Sequence, residues 1–159
     1  MVGLNIIIVV GTFLFMEFVA WATHKYVMHG FLWKIHEDHH SRGPGIFEKN
    51  DLFLLVFAIP SWLFIMCGLM FKLDFLVWIG VGIAVYGVSY FLVHDVFIHR
   101  RLSWFRNSKN VYLQAIRKAH KVHHKHLVKE DGECFGMLIV PFKYLKEARR
   151  AQKAKKGLG

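Results

Sequence analysis

The sequence predicts an all-α integral membrane protein, with about three transmembrane helices carrying a helical cap of histidine boxes on one side. Three observations predict it. Three apolar runs are each long enough to cross a bilayer. Ten of the eleven histidines follow those runs in a repeated spacing. The excess positive charge gathers after the third run. A length of 159 residues suits one domain, residues 1–159. An apolar content of 55% excludes intrinsic disorder.

The first run, Val2–Ala22, is interrupted only by Asn5 and Glu17. Ala20-Trp21-Ala22 resembles a signal-peptide cleavage site. However, residues 1–4 carry no basic charge and the run exceeds the ~7–15 residues of a signal core, so it is read as a retained helix. Residues 52–71 and 75–93 contain no charge. About 20 apolar residues cross the ~30 Å hydrocarbon core, so all three runs qualify as spans. Pro60 is expected to kink the second. Gly80, Ala84 and Gly87 give the third a small-residue face for helix packing. Trp21 and Trp104 lie near span ends, where indole rings favour the interface. Cys67 is inside a span and Cys134 outside one, so they are not expected to pair.

Lys72-Leu73-Asp74 allows only a tight hairpin, so the segments after spans one and three share the opposite face. Residues 23–51 hold four basic and four acidic groups, residues 94–116 four and one, and residues 117–159 twelve and four. The segments after span three therefore carry +11, which Glu17 offsets to the chain's net +10. The positive-inside rule makes that face cytoplasmic, with Met1 and the hairpin opposite. Such a distribution orients a membrane chain and argues against a nucleic-acid partner. Residues 134–142 are apolar but too short to span. They dip into the interface as a re-entrant segment or pack on the site. The tail, 143–159, reads as a basic helix in water or on the membrane surface.

The histidines form four boxes. His24-x4-His29 follows span one and His36-x2-His39-His40 comes soon after. His94-x4-His99 follows span three and His120-x2-His123-His124 comes later; His126 stands apart. Positions i, i+3 and i+4 share a helix face, so each HX2HH triplet is expected to converge. A spacing of five puts rings about 140° apart on an ideal helix. Either those pairs reach different metals or the helix is distorted there. Ten imidazoles exceed one ion's capacity and match two six-coordinate metals, each with about five histidines and one open position. Imidazole alone does not choose among Fe, Zn, Cu and Ni.

Three carboxylates are candidates to support the ligands. Asp38 and Asp95 adjoin boxed histidines in sequence, though neighbours on a helix point about 100° apart and a solvated charge is the simpler reading. Glu17 lies two turns deeper than His24 on the same face. It forms a polar network under the site or a helix–helix contact.

These boxes resemble those of the membrane fatty-acid hydroxylase superfamily, and within it the bacterial β-carotene 3-hydroxylases. His24-Lys25-Tyr26-Val27-Met28-His29-Gly30 is similar to that family's first box and His36–His40 to its second. Phe47-Glu48-x-Asn50-Asp51-Leu52 resembles the approach to its next span. Tyr90-Phe91-x-Val93-His94-Asp95 with His99 is similar to the third box, and Ala119-His120-x-x-His123-His124 to the fourth. Cys134-Phe135-Gly136 resembles the stretch beyond. Likeness extends from about residue 2 to 142.

The resemblance implies two non-haem irons (a di-iron site) held by the ten boxed histidines, with O2 and electrons from a ferredoxin-type donor. It implies C3 hydroxylation of β-carotene to β-cryptoxanthin and then zeaxanthin, in a bacterial inner membrane. A ketolase, desaturase or sterol hydroxylase would share the spacing. A metal-binding membrane protein without catalysis is the third alternative.

Overall fold

The computed structural model describes residues 2–41, 47–102, 104, 108–129 and 132–157. The expectation for Met1 lies outside them. Among the described residues there are helices and no strands.

Helix α1, Val2–Ala22, is followed by a π-helical segment, Thr23–Phe31, and then by α2, Trp33–His40. A 3-10 segment, Lys49–Leu54, leads into α3, Leu55–Phe71. Helix α4, Asp74–Tyr90, passes into a second π-helical segment, Phe91–Ile98. Helices α5, Val111–His123, and α6, Phe142–Gly157, complete the chain. Three helical stretches are long and apolar enough to cross a membrane: Val2–Phe31, Lys49–Phe71 and Asp74–Ile98. Their outer faces carry large apolar side chains such as Ile7 and Leu69, surface that a bilayer rather than water covers. Helix α3 continues through Pro60. It stops at Lys72, whose left-handed backbone (φ 55°) turns the chain so that the Leu73 N–H donates to the Gly68 carbonyl at 2.9 Å.

Helix α4 is the middle of the bundle, packed on both α1 and α3. Gly80 admits α3: a Cβ there would lie 2.7 Å from the Ser61 carbonyl oxygen. Gly82 admits α1, where a Cβ would lie 2.9 Å from the Val9 carbonyl oxygen. Residues two apart on a helix point about 200° apart, so these glycines serve opposite neighbours. The expected single stripe is therefore incomplete: Ala84 faces outward and Gly82, outside the stripe, makes the second contact. The Tyr86 side chain is fully buried between the helices.

Asn110 caps α5, its Oδ1 accepting the Leu113 N–H at 3.1 Å. One face of α5 buries Ala115 and Ala119 against Tyr144 and Ala148 of α6. The basic tail helix is thus docked on α5 and not a free surface helix. Cys67 and Cys134 are unpaired thiols.

Candidate metal centre

All four boxes meet at the end of the bundle opposite the Lys72 hairpin. Both HX4H boxes begin inside the π-helical segments, which settles their geometry. In the second, the His99 N–H donates to the His94 carbonyl at 2.9 Å, a bond spanning five residues. A π-helix closes its turns in this i→i+5 way and so brings residues five apart onto one side. The ring centroids lie 5.2 Å apart for His24 and His29, and 4.6 Å for His94 and His99. Distortion of the helix is the alternative realised.

Nine boxed histidines form two groups whose candidate ligand atoms lie within 4.8 Å of one another: His24, His29, His36, His40 and His123, and then His39, His99, His120 and His124. His94 is the tenth. Its ring stands 4.9 Å from that of His39 and 4.8 Å from that of His120, beside the second group. Each HX2HH triplet converges on the shared centre but divides between the groups. His36 and His40 face the first and His39 the second; His120 and His124 face the second and His123 the first. Positions i and i+4 are within about 40° of each other, while i+3 lies about 100° from i+4. A helix aimed between two sites therefore gives two rings to one and a single ring to the other.

The first group is anchored from behind. Each Nδ1–H donates to an oxygen: His24 to the Phe135 carbonyl at 3.0 Å, His29 to the Lys129 carbonyl at 3.2 Å, and His36 to Asn50 Oδ1 at 2.7 Å. His40 and His123 donate to the carbonyls of His126 and Glu133, both at 2.8 Å. A neutral imidazole protonated at Nδ1 has only a lone pair at Nε2. Yet His36 Nε2 lies 3.1 Å from Nε2 of both His24 and His40, and His29 Nε2 lies 3.2 Å from that of His123. Such facing lone pairs require a shared proton or a cation. Burial disfavours the proton, holding His36 down to about 2, His123 to about 3 and His40 to about 4. A cation fits. Metal–imidazole bonds of about 2.0–2.1 Å put opposite ligand atoms about 4 Å apart, the size of this cluster.

The second group has the same character. The Nε2 atoms of His99 and His124 lie 2.9 and 2.8 Å from that of His120. His39 donates from Nδ1 to Glu48 at 2.7 Å, and its buried Nε2 has no hydrogen-bond partner. Burial lowers His39 and His120 well below the usual imidazole range, and His124 to about 2.

The three expected carboxylates have different roles. Asp38 Oδ2 accepts the Lys49 N–H at 2.7 Å, and its buried Oδ1 has no hydrogen-bond partner among the described residues. Asp95 Oδ1 lies 3.5 Å from His94 Nδ1 and 3.2 Å from Arg101 Nε. Glu17 is buried away from the imidazoles. Its Oε1 accepts the N–H groups of Met137, Leu138 and Ile139 at 3.0, 2.8 and 2.9 Å, and its Oε2 accepts the Tyr86 hydroxyl at 2.7 Å. It thus ties down the 132–141 strap, whose Glu133 and Phe135 carbonyls hold His123 and His24. The apolar segment packs on the site, with the Phe135 ring 5.0 Å from that of His29.

Sequence reasoning missed Glu48 and Asn50 as direct partners of the rings. It also missed Arg101, which joins Glu48, Asp51 and Asp95 at 2.9, 2.8 and 3.2 Å. The signal was the Glu48-x-Asn50-Asp51 motif, noted only as an approach to a span.

The sequence profile of the fatty acid hydroxylase family matches residues 9–144, taking in every histidine box. The chain belongs to the fatty acid hydroxylase family. This family member is 41% identical over 139 residues to the β-carotene hydroxylase of Pantoea ananas, covering 86% of this chain and 78% of that protein. It is 36% identical over 138 residues to the β-carotene hydroxylase of Paracoccus sp., covering 86% and 85%. To the chloroplastic β-carotene 3-hydroxylase 1 of Arabidopsis thaliana it is 36% identical over 137 residues, 83% of this chain and 43% of the relative. No solved structure matches the chain.

Proposed function

We propose that the chain is a membrane monooxygenase that hydroxylates C3 of the β-rings of β-carotene, giving β-cryptoxanthin and then zeaxanthin. The observation that carries this is the pair of buried imidazole groups at one end of an apolar bundle, in a chain whose relatives are named β-carotene hydroxylases. The single domain, 1–159, holds both groups.

The ten boxed histidines would hold two non-haem irons through the nitrogens that face inward. Bound there, iron supplies the activation of O2 that an unactivated ring C–H demands and that zinc does not provide. The chain's own contribution is positional. Hydrogen bonds from Nδ1 fix each anchored ring's tautomer and aim its Nε2. Burial lowers the basicity of His36, His39, His40, His120, His123 and His124, which keeps those rings neutral at pH 7 and able to bind metal. Helices and strap enclose the first group and keep bulk water from it. In the reaction, one C–H, O2, two electrons and two protons give one C–OH and one water. The electrons come from a ferredoxin-type donor on the aqueous side.

The preferred location is the bacterial inner membrane, with the histidines and C-terminus cytoplasmic. Positive charge after the third span supports that orientation. An apolar polyene reaches this centre through the bilayer, while a soluble donor reaches it from water.

Expression in bacteria that make β-carotene tests the reading. Extracted pigment is expected to contain zeaxanthin with some β-cryptoxanthin. Unchanged β-carotene beside a working electron donor would overturn it, and a keto product would identify a ketolase.

A further inference from the structure

Two apolar hollows lie on one seam of the bundle. The upper is a cavity of about 220 Å³ at the ends of the three spans, mostly apolar along Ala20, Phe53, Phe57 and Tyr90, with a polar end formed by His94, Asp95, Arg101 and Asp51. The lower is a groove between α1 and α3, walled by Gly11, Phe15, Pro60 and Phe64 and floored by Ile79 and Ile83 of α4. They share no lining residue but adjoin, the wall passing from Val19 to Ala20 on α1 and from Val56 to Phe57 at the start of α3. From Thr23 down to Gly11 the seam extends about 18 Å, at 1.5 Å per residue.

Size separates their occupants. An apolar cavity of about 150 Å³ holds benzene. The upper cavity is therefore the size of one substituted six-membered ring and too small for a long polyene. The lower groove is open along its length to the bilayer side and suits an extended chain.

We propose that one terminal ring of β-carotene occupies the upper cavity while its polyene chain lies down the α1–α3 seam. This rests on the functional reading above and adds to it a binding site and an origin for position selectivity. The chain joins the ring at C6, and C3 is the carbon directly across. A ring inserted with its chain trailing behind presents C3 foremost. That carbon then meets the His94 end of the cavity, beside His39 and His120. The second histidine group is thus the one facing substrate. After the first hydroxylation the molecule must leave and return by its other end, because the cavity holds a single ring.

Gly11 and Gly3 provide a matched test. Both lie in α1, and an added Cβ at either meets nothing within 4 Å. Gly11 lines the groove, whereas Gly3 lines neither hollow. Gly11→Trp would obstruct the polyene without disturbing the histidines. The measurements are iron content, zeaxanthin formation, β-carotene retained by detergent-solubilised protein, and affinity for β-ionone, a ring with a four-carbon tail. Gly11→Trp is expected to keep its iron and its β-ionone affinity while losing at least tenfold in both β-carotene retention and turnover; Gly3→Trp should match wild type. Unchanged β-carotene handling in Gly11→Trp, equal losses in Gly3→Trp, or no β-ionone binding by wild type would each overturn the proposal. If wild type retains β-carotene but never hydroxylates it, the functional reading fails and the binding site stands.

Discussion

Replacing His36 by alanine is expected to lower hydroxylation by more than about 100-fold, since even outer partners of metal ligands are worth 10–100-fold. His36 is 1% exposed and stands at the centre of the first group. Its Nε2 faces two other imidazoles and its Nδ1 is fixed on Asn50. Alanine removes the Nε2 that His24 and His40 both face and leaves Asn50 buried without its partner. His39→Ala, three residues on, should be equally inactive but should cost the other metal ion, because its ring faces the second group. Alanine at any other boxed position, His94 included, should also abolish product. His126→Ala is the contrast: only its backbone carbonyl serves the site, accepting from His40, and alanine keeps that carbonyl. Pigment assays with iron analysis of each variant check these outcomes. Full activity in His36→Ala would remove that ring from the centre.

Glu17→Leu is expected to be the most damaging change outside the boxes. Four donors converge on this one buried carboxylate. Hydrogen bonds to a charged group are worth about 1.5–3 kcal/mol each, and unsatisfied buried donors are costly. Leucine would leave three backbone N–H groups and the Tyr86 hydroxyl without their acceptor, a loss of about 3 kcal/mol or more. The freed strap would then release His24 and His123, whose Nδ1 partners it carries. Lower thermal stability in detergent should accompany loss of iron from the first group ahead of the second. Glu17→Gln retains an oxygen for the N–H groups and should recover much of both. A Glu17→Leu protein with wild-type iron content and stability would refute the anchoring role.

The spans, the boxes and their convergence on one end were legible because each is written in local spacing. Charge-free runs mark helices in lipid, and repeated His spacings mark helix ends that face a common point. The division of each HX2HH triplet was not legible. Spacing says that His36, His39 and His40 share a face, but not that the face is aimed between two sites. The π-helical segments were an open alternative, because a five-residue spacing permits a distorted helix without requiring one. Anchoring of the rings was the least visible part. His24 is held by the carbonyl of Phe135, 111 residues away, and every residue type offers a carbonyl. Glu17 stood out as a charge inside a span, yet three of its four partners are backbone N–H groups that also leave no mark in sequence, and no spacing tied it to the fourth, the Tyr86 hydroxyl. Asn50 and Glu48 had side chains to notice, but no spacing tied them to His36 and His39. Asp38 and Asp95 drew attention through adjacency, but Asp38 accepts a backbone N–H and only Asp95 approaches its neighbouring ring, at 3.5 Å.

Iron per chain is the most direct measurement of the central claim, that ten histidines form two adjoining metal sites. Protein purified without chelators and loaded anaerobically with ferrous iron should bind two ions per chain. His36→Ala and His39→Ala should each bind one. A wild-type chain that saturates at a single ion would contradict the account.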